Sequence, residues 1–362
     1  MSPSERPSFP VRRRSLLAAI GAAAGAAAVG FSLAGCSREA GRKLSFYNWD
    51  TYIGETTLAD FEKATGVRVI SSYFATNDEL FTKLRAGNPG YDVIVPSNEF
   101  VTRMREANML LPLDLSKIPN KANLAPEFMD ADYDPDPRHS LPYTWLVMGI
   151  GYRKSKVDGV PDSWKWLFDS DRYSGRIALL GEAADLIRLG ARYKGRSLVG
   201  VDEATAREVA AMLTAQKRHV RAFHEDNGQD LLLSGDVDLV LEYNGDIAQA
   251  MAEDADIDFV VPKEGSLLNA DTLAIPKGAP SPDLAHEFIN FLLDAEVGKG
   301  IAETILYPTP NAAAKALMPE DYRTNPVIFP SGPGMKASEW GRYEGPDKQR
   351  LFDTLITQMR AA

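Results

Sequence analysis

Residues 43–70 read KLSFYNWDTYIGETTLADFEKATGVRVI, and this stretch sets the architecture. Lys43 to Trp49 is a short strand-like run, Leu58 to Ala64 has helical spacing closed by Gly66, and Val67 to Ile70 is a second strand, which together predict one βαβ unit. Asn77-Asp78-Glu79 then opens a helix through Leu84, and Tyr91 to Pro96 predicts a buried strand ended by proline, with Ser97 starting a loop. Strands alternating with helices imply an α/β fold with mainly parallel sheets. Ligands of open α/β sheets bind at the carboxyl ends of strands, so the loops after Tyr47 and Val95 are where a site is expected.

Farther along, Asp130 to Arg138 is rich in Asp and Pro and reads as loop. Strands are expected at Trp145–Tyr152, Arg176–Leu180, Asp238–Tyr243, Ile257–Pro262 and Asp271–Pro276. Helices are expected at Trp164–Phe168 and Thr205–Lys217, and at Pro282–Asp294, where Ala285, Phe288, Ile289 and Leu292 share one face. No internal repeat and no Gly/Ser linker interrupts the chain, which suggests two lobes joined by strands through a hinge crossed more than once.

Length and charge bound the function. The 362 residues have room for about two domains. With 40 Lys plus Arg against 50 Asp plus Glu, the net charge of -10 opposes nucleic acid or anionic membrane as the main partner. The single cysteine excludes an internal disulfide and any CxxC site. Its position is informative. Arg6, Arg12, Arg13 and Arg14 precede an apolar run from Leu16 to Ala34, the layout of a signal peptide spanning residues 1–35. Leu33-Ala34-Gly35-Cys36 resembles the lipobox of bacterial lipoproteins, and Arg13-Arg14-Ser15-Leu16-Leu17 resembles a twin-arginine export signal. The mature chain would begin at a lipidated Cys36, giving an acidic periplasmic protein tethered to a membrane.

The common enzyme motifs are absent: no G-x-S-x-G elbow, no G-x-x-x-x-G-K-[ST] loop and no H-E-x-x-H. His219 and His224 are five apart, off the i, i+4 face of a helical metal pair, and read as solvated surface. No metal and no cofactor is expected. A carboxylate-pair hydrolase remains open, because any acidic cleft can hold such a couple. What the predicted loop ends do carry is rings and acids: Trp49, Asp50 and Tyr52; Ser97 and Glu99; Glu182 and Asp185 at i, i+3; Tyr243 and Asp246; Asn269 and Asp271; and Tyr307. Each also has a structural explanation, as core aromatic, helix-dipole acid or N-cap.

In combination these stretches resemble the spermidine/putrescine-binding proteins of bacterial polyamine ABC importers. The matching segments are FYNWxxY (46–52), YDVIVPS (91–97), Pro142-Tyr143, VPKEG (261–265), DTLAIP (271–276) and AETILYPTPN (302–311). The resemblance implies a periplasmic-binding-protein fold of the second type, with one lobe of 36–141 and 272–311, another of 142–271 and 312–362, and a ligand cleft between them. It further implies a monomer that is not an enzyme and that hands its ligand to a permease with its ATPase. Carried over by position, Trp49 and Tyr52 would sandwich a methylene chain, with Asp50 and Ser97 beside them. Glu182, Asp185 and Asp271 would meet amines, and Tyr243 and Tyr307 would complete the aromatic walls. Asn269 stands where the family usually has tryptophan and Glu99 where the spermidine binder has tyrosine, which leaves another small organic cation or amino compound as an alternative ligand.

Overall fold

In a computed structural model the described residues are 42–129, 133–135, 138–225 and 227–362. The export segment, Cys36 and part of the Asp130–Arg138 loop lie outside them. The strands in chain order are β1 (Lys43–Trp49), β2 (Arg68–Phe74), β3 (Val93–Ile94), β4 (Ser140–Arg153), β5 (Ile177–Leu180), β6 (Val220–His224), β7 (Leu239–Tyr243), β8 (Ile257–Val260), β9 (Leu267–Ala274) and β10 (Glu339–Trp340). Those helices that carry the argument are α1 (Thr57–Thr65), α2 (Asn77–Arg85), α3 (Asn98–Glu106), α4 (Ala183–Tyr193), α5 (Glu203–Gln216), α6 (Gly228–Leu233), α7 (Asn244–Glu253), α8 (Pro282–Leu292), α9 (Ala295–Ile305) and α10 (Pro346–Ala361).

Strand order is β2-β1-β3-β9-β4-β7-β5-β6, with β10 beside β9 and β8 beside β4. Two parallel groups, β2-β1-β3 and β7-β5-β6, flank an antiparallel centre of β9 and β4. The expectation of mainly parallel sheets therefore holds at the two sides and not in the middle. β4 is the connection. Its first half, Ser140 to Val147, pairs with β9, and its second half, Met148 to Arg153, pairs with β7 and β8. Nearly every residue of β4 is buried, as expected for a strand covered on both faces.

The apolar core of the described residues falls into four clusters, of which the two largest bear on the strand groups. One body surrounds β1, β3 and α8, with Phe46, Phe61, Phe288 and Ile289 in contact. Another surrounds β5, β7, α4 and α10, with Leu179, Leu186, Leu241 and Phe352. Tyr243 packs against both, so the end of β7 marks where they meet. This is a mixed α/β arrangement in which two apolar bodies are joined through β4 and β9.

Three elements differ from the sequence reading for identifiable reasons. β3 is only Val93–Ile94 because the Asp92 carboxylate accepts the Ser45 (2.8 Å) and Ser281 (2.7 Å) amides, replacing strand pairing with side-chain bonds, while Pro96 has no N–H to offer. β2 runs on to Phe74 because residues 71–74 stay paired to β1. His224, expected on the surface, is 5 % exposed on β6. Its Nε2 lies 3.1 Å from the Leu241 carbonyl, and burial pushes its pKa down to about 4.

Candidate ligand-binding cleft

β1 ends at Trp49, whose indole Nε1 donates to the Val95 carbonyl (3.0 Å) and whose ring leans on Phe74. That hydrogen bond ties the ring to the carboxyl end of β3. Just past it, the Tyr52 carbonyl accepts from Asn48 Nδ2 (2.8 Å) and Tyr143 Oη (2.9 Å), which fixes the loop. The Tyr52 hydroxyl donates to Asp271 Oδ2 (3.0 Å) and lies 2.6 Å from Thr144 Oγ1. Ser97 Oγ donates to the other Asp271 oxygen (2.7 Å) and is itself held by Asn77. Asp271, on β9, is thus 6 % exposed with each oxygen accepting one hydrogen bond and no cation opposite it among the described residues.

The opposite wall comes from the second body. β7 delivers Tyr243, and Asp246 follows in the first turn of α7. Tyr307, beyond α9, is packed in the first body and meets Tyr52 edge to face (centroids 5.0 Å apart), reaching across to the second. Gly245 is what lets Tyr307 approach α7, since a Cβ there would collide with the Tyr307 ring. Glu182 sits at the N-cap of α4 but caps nothing with its side chain. Trp49, Asp50, Tyr52, Ser97, Glu182, Tyr243, Asn269, Asp271 and Tyr307 all line one cavity of about 670 Å³.

The electrostatics of that cavity are lopsided. Among its lining residues carboxylates outnumber basic side chains nine to one, the exception being Arg360. Burial pushes Asp271 up to about 6, against the hydrogen bonds from Ser97 and Tyr52. Asp246 is pushed up to about 7, first by burial and then by the charges of Asp271 and Asp230, with a bond from Tyr307 opposing. Glu182 is raised by burial and by Asp185, Asp78 and Glu99 nearby. Desolvated carboxylates without a counter-charge hold protons unless a cation arrives.

The chain matches the sequence profile described as bacterial extracellular solute-binding protein over residues 56–330. The chain belongs to this family. Two relatives of this binding protein show how far the likeness extends. It is 35 % identical over 323 residues to the spermidine/putrescine-binding periplasmic protein of Escherichia coli K12, covering 88 % of this chain and 91 % of the other. It is 32 % identical over 334 residues to the putrescine/cadaverine-binding protein of Pseudomonas aeruginosa, covering 89 % and 94 %. In structure it superposes on the spermidine/putrescine ABC transporter substrate-binding protein PotD of Streptococcus pneumoniae with a TM-score of 0.77 at 32 % identity, covering 88 % of this chain and 99 % of the other.

Two residues singled out in the sequence sit elsewhere. Glu99 and Asp185 lie behind the cavity wall, and Glu99 is bound by Arg188. Others emerge only in three dimensions. Gln249, Ala250 and Glu253 share one face of α7 with Asp246, already singled out in the sequence, and Gln349, Asp353, Ile356, Thr357 and Arg360 share one face of α10. The i, i+3, i+7 spacing of Asp246, Gln249 and Glu253 was the available signal for the first group. No group of three or more His, Cys, Asp or Glu among the described residues is arranged to hold a metal ion, and no helix among them is long and apolar enough to cross a membrane.

Proposed function

We propose that this protein captures a polyamine of the putrescine or spermidine class between its two lobes and presents it to a membrane permease driven by an ATPase. The observation that carries the reading is the convergence of Asp271, Asp246 and Glu182 with Trp49, Tyr52, Tyr243 and Tyr307 on one cavity. A flexible alkane with ammonium ends needs flat apolar walls for its methylenes and desolvated carboxylates for its charges, and both kinds of surface are present. An ammonium over an aromatic face gains about 0.5–2 kcal/mol, and a hydrogen bond to a charged group about 1.5–3 kcal/mol. A micromolar site needs about 8 kcal/mol net, so two paired ends and a stacked chain suffice. The names of the relatives at 32–35 % identity support the same ligand class.

In this reading β4 and β9 are the hinge strands, and the lobes divide near residues 141 and 272. Asp271, placed with the second lobe by the expected bounds, goes with the first because Tyr52 and Ser97 hold it. Trp49, Tyr52, Ser97 and Asp271 then belong to one side and Glu182, Tyr243 and Asp246 to the other, so a cation touching both stabilises the closed form by its differential affinity. The permease reads that closed form. The protein is a monomer, performs no chemistry on its ligand, and works outside the cytoplasm on a lipid tether at Cys36. Titration calorimetry against putrescine, cadaverine, spermidine, spermine and agmatine tests the ligand class. Micromolar or tighter binding of at least one is expected, and no binding of any of them overturns the reading.

A further inference from the structure

Next to the part of the cleft formed by Asn269 and Glu182 lies a buried pocket of polar side chains filled by the protein itself: Glu99, Asp185 and Arg188. Asp185 follows Glu182 by one helical turn on α4 and Glu99 enters from α3, yet neither lines the cavity. Arg188, one turn further along α4 and 2 % exposed, reaches into this pocket. Its Nη1 donates to Glu99 Oε1 and its Nη2 to the Arg342 carbonyl. Burial works against the charge of Arg188, and the carboxylates of Glu99 and Asp185 outweigh it. Two buried polar atoms remain without partners: Arg188 Nε and Asn269 Oδ1, the latter on a residue 7 % exposed that also lines the cleft. A methyl group on Gly341 would collide with both Glu99 Oε1 and Asn269 Oδ1, so those two oxygens converge on one point. Because Glu182 feels the charges of Asp185, Glu99 and Arg188, pocket and cleft form one electrostatic unit.

We propose that Arg188 sets the length of the ligand: its guanidinium fills, with the protein's own charge, an ammonium position that Glu99, Asp185 and Asn269 would otherwise offer. The open cleft then takes a diamine with two charged ends in preference to a triamine. This inference rests on the organic-cation reading of the cleft and refines it. Arginine suits the role because it stays charged at any working pH and its planar fork can serve a carboxylate and a carbonyl together. A third ammonium entering the same corner would meet a like charge in a desolvated setting, with the Glu99 carboxylate already engaged by Arg188.

The test is calorimetry of the purified protein with putrescine and spermidine separately. The wild type should bind putrescine more tightly, by about tenfold or more. Arg188→Ala should move the ratio toward spermidine by a similar factor, Arg188→Lys should keep the putrescine preference, and adding Glu99→Gln to Arg188→Ala should cancel the gain. A wild type that binds spermidine as tightly as putrescine overturns the proposal whether or not any variant folds. A folded Arg188→Ala with an unchanged ratio also overturns it and leaves the cation reading standing. Failure of the wild type to bind any amine overturns both.

Discussion

In the proposed function, Asp271 is the residue on which ligand and protein chemistry meet. It carries two hydrogen bonds from uncharged hydroxyls and a pKa pushed up to about 6. Replacing it by Asn keeps the shape, so Asp271→Asn should weaken an amine ligand at least about tenfold, or 1.4 kcal/mol, with little change in the melting temperature of the empty protein. Normal affinity in that variant would remove Asp271 from the site. The raised pKa also fixes a pH dependence. A bound ammonium favours the ionised carboxylates, so binding expels protons from Asp271 and Asp246, and affinity should fall as pH drops through about 7 and about 6. Calorimetry in buffers of different ionisation heat reads the proton release directly, and a pH-independent affinity between 5 and 8 would contradict it. Stability of the empty protein follows the opposite sign. Both folded pKa values lie above the ordinary 3.8, so the stability these groups contribute is complete below that value and disappears as pH rises through 6 and 7. The cleft residues contributed by β1, β7 and β9 were legible because rings and acids stand at predicted strand ends. Glu99 and Asp185 were expected in the cleft as well, and the structure keeps them out of its lining, because the Arg188 from α4 that engages Glu99 leaves no mark in the local sequence around Glu99.

Among the elements, α7 couples the two walls most closely. Its first turn holds Asp246 and, through Gly245, receives the Tyr307 ring from beyond α9. Gly245→Ala forces a methyl into that ring and should destabilise the protein by about 1–3 kcal/mol, while also weakening ligand binding because Tyr307 and Asp246 separate. Chemical denaturation together with calorimetry checks both, and a variant with wild-type stability would show that Tyr307 has room to move. Element positions were largely readable from periodicity: β1, α1 and α2 lie within a residue or two of where spacing places them. What periodicity could not give is direction. β4 and β9 have the apolar texture of parallel strands because both faces are covered, yet they run antiparallel and carry the chain between the two groups of strands.

Across the whole molecule, the account requires two bodies that share one cleft and close around a cation. Ligand should therefore reduce the radius of gyration in small-angle X-ray scattering and raise the melting temperature, by the mass action of binding to the folded state alone. A ligand that raises the melting temperature without compaction would argue for binding to a preclosed cleft and against closure as the signal to the permease. Length and the absence of a flexible linker suggested two lobes with a hinge, and the resemblance of the motif segments implied a cleft closing on a cation, whereas the α10 contribution to the cleft was not visible, since its polar face lies far along the chain from the strands it completes. If carboxylates on both sides of the cleft grip an organic cation, a neutral isostere of that cation should be refused. Calorimetry of the purified protein at pH 7.5 with putrescine and with 1,4-butanediol should show saturable one-to-one binding of the diamine and none of the diol. Equal binding of the two, or binding of neither, would contradict it.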